Sequence, residues 1–123
     1  MSKAKMSKFM NSINQRSVDH VRLGMLTLTI GAHADWIPVH QIVRVEGAGN
    51  YSRIYTQSGQ VYLVAVTLQK VGERLVEFWR AHKSHLVNPD YIRLIRKSPQ
   101  GRFAHLTTGE AVPVARRVTR YPD

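Results

Sequence analysis

Three short basic segments hold the side chains of this sequence best placed to do chemistry. The first is Phe78-Trp79-Arg80-Ala81-His82-Lys83-Ser84-His85-Leu86-Val87-Asn88-Pro89-Asp90, where apolar residues flank a group of small and basic ones, as if a strand broke, reversed and resumed. In such a reversal the long stem of Lys83 can enter a groove and bond guanine O6 and N7. The Ser84 hydroxyl suits either a phosphate or a turn cap. His82 reads as a packed or hydrogen-bonded residue holding the loop, and Asn88 as a partner for backbone groups. The second segment, Gly109-Glu110-Ala111-Val112-Pro113-Val114-Ala115-Arg116-Arg117, is a short strand that ends in an arginine pair, with Arg120 just beyond. The planar guanidinium fork suits phosphates and guanine edges. The competing reading is a solvated basic helix end. The third is Asn50-Tyr51-Ser52-Arg53, just after Gly47-Ala48-Gly49. Here a polar side chain could touch a base while Arg53 holds a phosphate, or a plain glycine turn could carry a solvated arginine.

The overall charge favours an anionic partner. The chain has 123 residues and a formal charge of +10, a surplus that draws polyanions through counterion release. An anionic membrane surface, or solubility alone, would also fit the charge. Between Arg80 and Arg120 nine basic residues face only Asp90 and Glu110, so the surplus sits in the carboxyl half. There is no cysteine, which removes disulfides and thiolate zinc sites. The histidines are scattered, and His82/His85 lacks a neighbouring carboxylate or cysteine to complete a metal site. Gly47-x-Gly49 lacks the third glycine of a dinucleotide fingerprint. Ser84 beside His82 or His85 has no paired acid. No catalytic set, metal or cofactor is therefore expected. No apolar run has membrane-spanning length, and no secretory leader follows the basic start. The expected location is the cytoplasm, with no membrane partner.

The elements that must position these residues are short and mostly extended. Met1–Leu23 reads as a flexible or short-helical extension, with Met6, Phe9, Met10 and Ile13 spaced like one side of a helix. Residues 24–123 read as one domain. Strands are expected at Leu26–Ile30, Trp36–Val39, Ile42–Glu46, Tyr51–Thr56 and Gln60–Val66, with Ser58-Gly59 as a hairpin signal. One helix of two or three turns follows, capped by Thr67 and carrying a stripe of Leu68, Val71, Leu75 and Val76. Further strands are expected at Ile92–Arg96, Phe103–Leu106 and Ala111–Val114, with a turn or single helical turn over Asn88–Tyr91. No internal repeat is evident. The fold class is mainly β with one or two short helices, so bases must be reached by loops or strand ends rather than by a recognition helix.

From Leu26 to Tyr121 the sequence resembles the LytTR DNA-binding domain of bacterial transcription factors. The resemblance rests on the run of Phe, a basic residue, His, a variable residue, Ser and Val-Asn within Phe78–Asn88, and on the closing strand into Ala115-Arg116. It implies an elongated stack of small antiparallel sheets whose loops enter successive major grooves of double-stranded DNA. It also implies that Lys83 and Arg116 read bases, that Ser84 is a phosphate or structural partner, and that a loop at Asn50–Arg53 contacts DNA. Arg117 and Arg120 would then suit the phosphate backbone. Paired direct repeats, a homodimer on the DNA and a regulatory protein partner are further expectations. Many members carry an amino-terminal receiver domain for which this chain has no room. It reads as a freestanding regulator or as part of a longer one.

Two other classes compete. An RNA-binding β module would use Tyr51, Tyr55, Tyr62 and Phe103 as a stacking surface, although these occupy core-like alternating positions. A protein-interaction adaptor would work through Met6–Ile13 and show no salt-dependent nucleic-acid binding.

Overall fold

The computed structural model describes residues 16–22, 24–30 and 33–122. Its centre is a five-stranded antiparallel sheet built from β4 (Ile42–Ala48), β5 (Tyr51–Thr56), β6 (Val61–Val64), β7 (Trp79–His82) and β8 (His85–Val87), in the order β6-β5-β4-β8-β7. Neighbouring residues are buried in pairs: Ile42 beside Val43 on β4, and Leu86 beside Val87 on β8. Alternate side chains leave opposite faces of a strand. This sheet is therefore apolar on both sides and must be covered twice.

One cover is the helix α1 (Leu68–Arg74), which packs with Leu26 and Ile37 against Val45, Ile54, Val64 and Leu86. Leu26 and Ile37 come from a three-stranded sheet of β1 (Arg16–Arg22), β2 (Met25–Ile30) and β3 (His33–Pro38). The other cover is a three-stranded sheet of β9 (Ile92–Ser98), β10 (Gly101–Leu106) and β11 (Ala111–Val114). It lays Ala104, Leu106, Val112 and Val114 on Val43, Trp79, Ala81 and Val87 of the central sheet. Pro113 is tolerated because β11 lies at the edge of its sheet. The result is the expected stack of small antiparallel sheets with one short helix.

The helix follows the sequence signals closely. Thr67 Oγ1 accepts from the Lys70 amide at 3.3 Å, and Leu68, Val71 and Leu75 are buried. Val76 departs from the expected stripe and is 79% exposed, because the helix ends at Arg74. Gly47 lets the helix approach: a Cβ there would lie 2.9 Å from the Leu68 Cβ.

An internal repeat, not evident from the residue types, organises the chain. Ile42–Ala48, Tyr51–Thr56 and Val61–Val64 recur 50 positions later as Ile92–Ser98, Gly101–Leu106 and Ala111–Val114. Each unit opens with a 3-10 turn, Val39–Gln41 in one and Pro89–Tyr91 in the other. The loop hydrogen bonds recur too: Gly59 N to Thr56 O at 3.0 Å matches Gly109 N to Leu106 O at 2.9 Å. Gly59 and Gly109 both take positive φ, 92° and 99°, which a side chain would resist. Few residue types coincide between the units, among them Ile42/Ile92, Gly59/Gly109, Val64/Val114 and Ala65/Ala115. The geometry repeats where the letters do not.

The extension expected over Met1–Leu23 lies outside the described residues up to position 15, including Met6, Phe9, Met10 and Ile13. Its last part, Arg16–Arg22, is strand β1, paired antiparallel to β2. Its polar sequence lacks the alternation that would mark it, so backbone pairing with β2 defines it.

Asn88 joins the two units. Its side-chain amide donates to Ile42 O at 2.9 Å, and its carbonyl oxygen accepts from the Asp90 amide at 3.0 Å. Asn88→Ala leaves buried groups unpaired, so urea unfolding should show a loss of about 2 kcal/mol; a loss below a few tenths would remove Asn88 from this role. A second joint is Arg44, which meets Glu110 through Nε at 2.9 Å and Nη2 at 2.8 Å. Burial alone would raise the Glu110 carboxyl. The hydrogen bonds from Arg44 and Thr108 and the charge of Arg44 outweigh it and hold the group below the usual carboxylate range. A carboxylate lowered in the folded state adds stability above its unfolded value, and that stability fades as pH falls through the folded one. Glu110→Gln should therefore cost up to about 1 kcal/mol at neutral pH, and the difference should vanish below the lowered value. Melts at both ends of this range with equal differences would refute the coupling.

Candidate nucleic-acid interface

Lys83 and Ser84 are the two turn residues of the β7–β8 hairpin, in which His82 pairs with His85. Most of the backbone polar groups of this turn are engaged. The Ser84 amide donates to His82 Nδ1 at 3.1 Å, and Ser84 O accepts from the Gly47 amide at 2.8 Å. Arg80 reaches over the turn, donating through Nε to His82 O at 2.9 Å and through Nη2 to Lys83 O at 2.7 Å. His82 thus holds the loop, as its position suggested. Lys83 itself is exposed, while Ser84 is half-buried. The His82 and His85 rings lie 5.5 Å apart. Burial holds the His85 imidazole below its usual range against the pull of Glu46.

Arg116 and Arg117 are the central pair of a turn closed by the Val118 amide on Ala115 O at 3.1 Å. Both are exposed, and no helix is present there. The Ala115 amide bonds Ala81 O at 2.8 Å, so the turn hangs on β7. Farther on, Trp79 Nε1 donates to Arg120 O at 2.7 Å, and the Tyr121 ring packs on Trp79 with centroids 5.5 Å apart. Strand β7 therefore carries Lys83 at one end and anchors the segment with Arg116, Arg117 and Arg120 along its flank. His82 and Arg116 line one groove of about 620 Å³ together with Lys97 and Arg102.

The third segment is divided by the alternation of β5. Asn50 lies in the two-residue turn between Ala48 and Tyr51 and is exposed, as are Tyr51 and Arg53. Arg53 lies directly across from Glu46. Ser52 does not belong with them. It is fully buried, and its hydroxyl donates to Val66 O at 2.8 Å, where it fixes the passage from β6 into the helix. The expected DNA contact at Ser52 is thus corrected to a structural one.

A stacking platform of aromatics is not assembled. Tyr62 is buried, and the Tyr55 ring is covered by the Arg44 guanidinium at 3.8 Å. Among the described residues no group of three His, Asp or Glu side chains could hold a metal, and no helix is long and apolar enough to cross a membrane. Sequence reasoning missed Arg80, whose spacing of three from Lys83 could have flagged a side chain folding over the turn. It also missed Lys97 and Arg102, whose pairing appears only once the register is known.

A family model described as the LytTr DNA-binding domain matches residues 36–121. The chain belongs to this family. The matched span runs from Trp36 to Tyr121 and takes in all three basic turns. A CO-responsive transcriptional regulator, RcoM of Rhodospirillum rubrum, is 29% identical over 103 residues, which cover 80% of this chain and 43% of the relative. The chain thus spans less than half the length of that protein. The fold is similar to the LytTr DNA-binding domain of a putative methyl-accepting/DNA response regulator from Bacillus cereus. That match has a TM-score of 0.62 and 21% identity, over 76% of this chain and 88% of the other. The family is one of DNA-binding domains rather than of enzymes.

Ser52→Ala should lower stability by about 1 kcal/mol, the usual worth of one buried hydrogen bond. The salt dependence of duplex binding should stay as in the wild type; a changed slope would return Ser52 to the interface.

Proposed function

We propose that the chain binds double-stranded DNA sequence-specifically, with Lys83 and Arg116 entering a major groove from two turns tied to one strand, and that it acts in transcriptional regulation. The observation that carries this reading is the joint anchoring of both turns on β7. The Ala81–Ala115 hydrogen bond leaves Lys83 two residues beyond one end and Arg116 one residue beyond the other. At about 3.5 Å per residue, both cations stay within reach of a single short DNA segment.

Arg117 and Arg120 serve the phosphate backbone, which fixes register without reading sequence. Asn50 and Tyr51 extend the contact from the β4–β5 turn, and Arg53, opposed by Glu46, is the weaker member of that group. Ser84 acts as a turn residue beside Lys83. A double-stranded site of paired direct repeats would hold two copies, with or without a homodimer, and a partner protein or a further domain would supply control.

Binding sites selected from randomised duplex provide the test. Lys83→Ala and Arg116→Ala should each cost about 1–3 kcal/mol on the selected site and little on a scrambled one. Arg120→Ala should weaken both duplexes alike. Equal losses on both duplexes for Lys83→Ala and Arg116→Ala would overturn the base-reading assignment.

A further inference from the structure

The groove between the β9–β10 hairpin and the Arg116 turn concentrates positive charge without internal relief. Lys97 and Arg102 are in-register partners on β9 and β10, so their side chains leave the same face of the sheet side by side. That face also carries Ala104 and Leu106, which are buried in the second core. The two cations thus stand where the apolar face runs past the edge of the core. Like charges directly opposite each other destabilise a sheet. Arg116 and His82 line the same groove, and no carboxylate does. A second concavity, about 570 Å³, sets Arg74 against Glu77 and Asp90. There one cation meets two carboxylates.

Arg102 is also aimed. Its Nη1 donates to the Tyr121 hydroxyl, and its guanidinium lies 5.7 Å from the centre of that ring. Tyr121 is in turn packed on Trp79. An oriented guanidinium beside a lysine offers a fork and a point charge to a single tetrahedral anion.

We propose that this groove seats one phosphate of the DNA backbone, held by Lys97 and Arg102, with Tyr121 as the positioning residue for Arg102. The assignment rests on the duplex-binding reading above and adds to it a contact from the third sheet. Because His82 lines the groove and pairs across the Lys83 turn, the seated phosphate flanks the base pair that Lys83 reads and sets its register.

The test titrates the full chain onto a selected and a scrambled duplex over a series of salt concentrations. Lys97→Ala should weaken both duplexes by the same factor and flatten the salt slope by about one unit, and Lys97→Arg should restore the slope. The free Lys97→Ala protein should melt no lower than the wild type, since a like-charge pair has been relieved. Tyr121→Phe should weaken both duplexes while leaving the slope unchanged, because the charge remains and only its aim is lost. Wild-type binding with an unchanged slope in Lys97→Ala would overturn the groove and leave duplex binding standing. A wild type that binds no duplex at all would overturn both. Wild-type affinity in Tyr121→Phe would overturn the positioning role.

Discussion

The burial of the central sheet on both faces is the constraint that shapes the rest of the structure. Adjacent residues such as Ile42 and Val43, or Leu86 and Val87, cannot both be sheltered by one neighbouring layer. The chain must therefore supply a helix and a sheet on one side and a second sheet on the other. Once both faces are covered, the ends of the strands remain for contact with other molecules. The exposed cations of the candidate interface accordingly sit in turns and at sheet ends rather than on a broad face.

The second covering layer is a copy of part of the first unit's architecture. The recurrence of a 3-10 turn, a two-residue hairpin and a four-residue glycine loop gives the protein two similar frames with different side chains. In the first frame the chain leaves β6 through Ala65 and Val66 into a helix pinned by Ser52. In the second, the equivalent exit after β11 is Ala115-Arg116, and it turns outward instead. The same backbone device thus ends in a buried joint in one place and in a cationic turn in the other. The difference lies in the residues just downstream of each exit. After the first comes a capped apolar helix stripe, after the second an arginine pair.

Much of the fold was legible because local rules and tertiary demands agree in this chain. Short apolar runs between turn formers marked most strands, Thr67 marked the helix, and Asn88-Pro89 marked a turn that the structure closes as a 3-10 turn. The basic turns could be read because lysine and arginine among turn formers have few structural uses. What stayed hidden depends on register. Ser52 sits one residue from exposed Arg53, and only the direction of the β5 pleat puts it inside. Lys97 and Arg102 are ordinary surface charges until pairing sets them face to face. The repeat was hidden because the fold needs apolar character at matching positions, not matching residues, so Ile54 and Ala104 fill equivalent sites.

The treatment of the two arginines near the Lys83 turn shows how such a surface separates rigidity from charge. Arg80 could have been another free cation, yet its guanidinium is committed to the carbonyls of His82 and Lys83. With the turn amide held by His82 and the turn carbonyls held by Arg80 and Gly47, the backbone has little freedom left to lose on binding. In the proposed complex Lys83 then needs to order only its own side chain. Arg102 obeys the same logic, since Tyr121 fixes its direction before any anion arrives. A surface whose turns and guanidinium are ordered during folding meets a partner with that part of the entropic cost already settled. On this reading Arg80 and Tyr121, neither assigned to a base, serve the proposed contacts beside them, Arg80 by stiffening the turn under Lys83 and Tyr121 by aiming Arg102 at a phosphate.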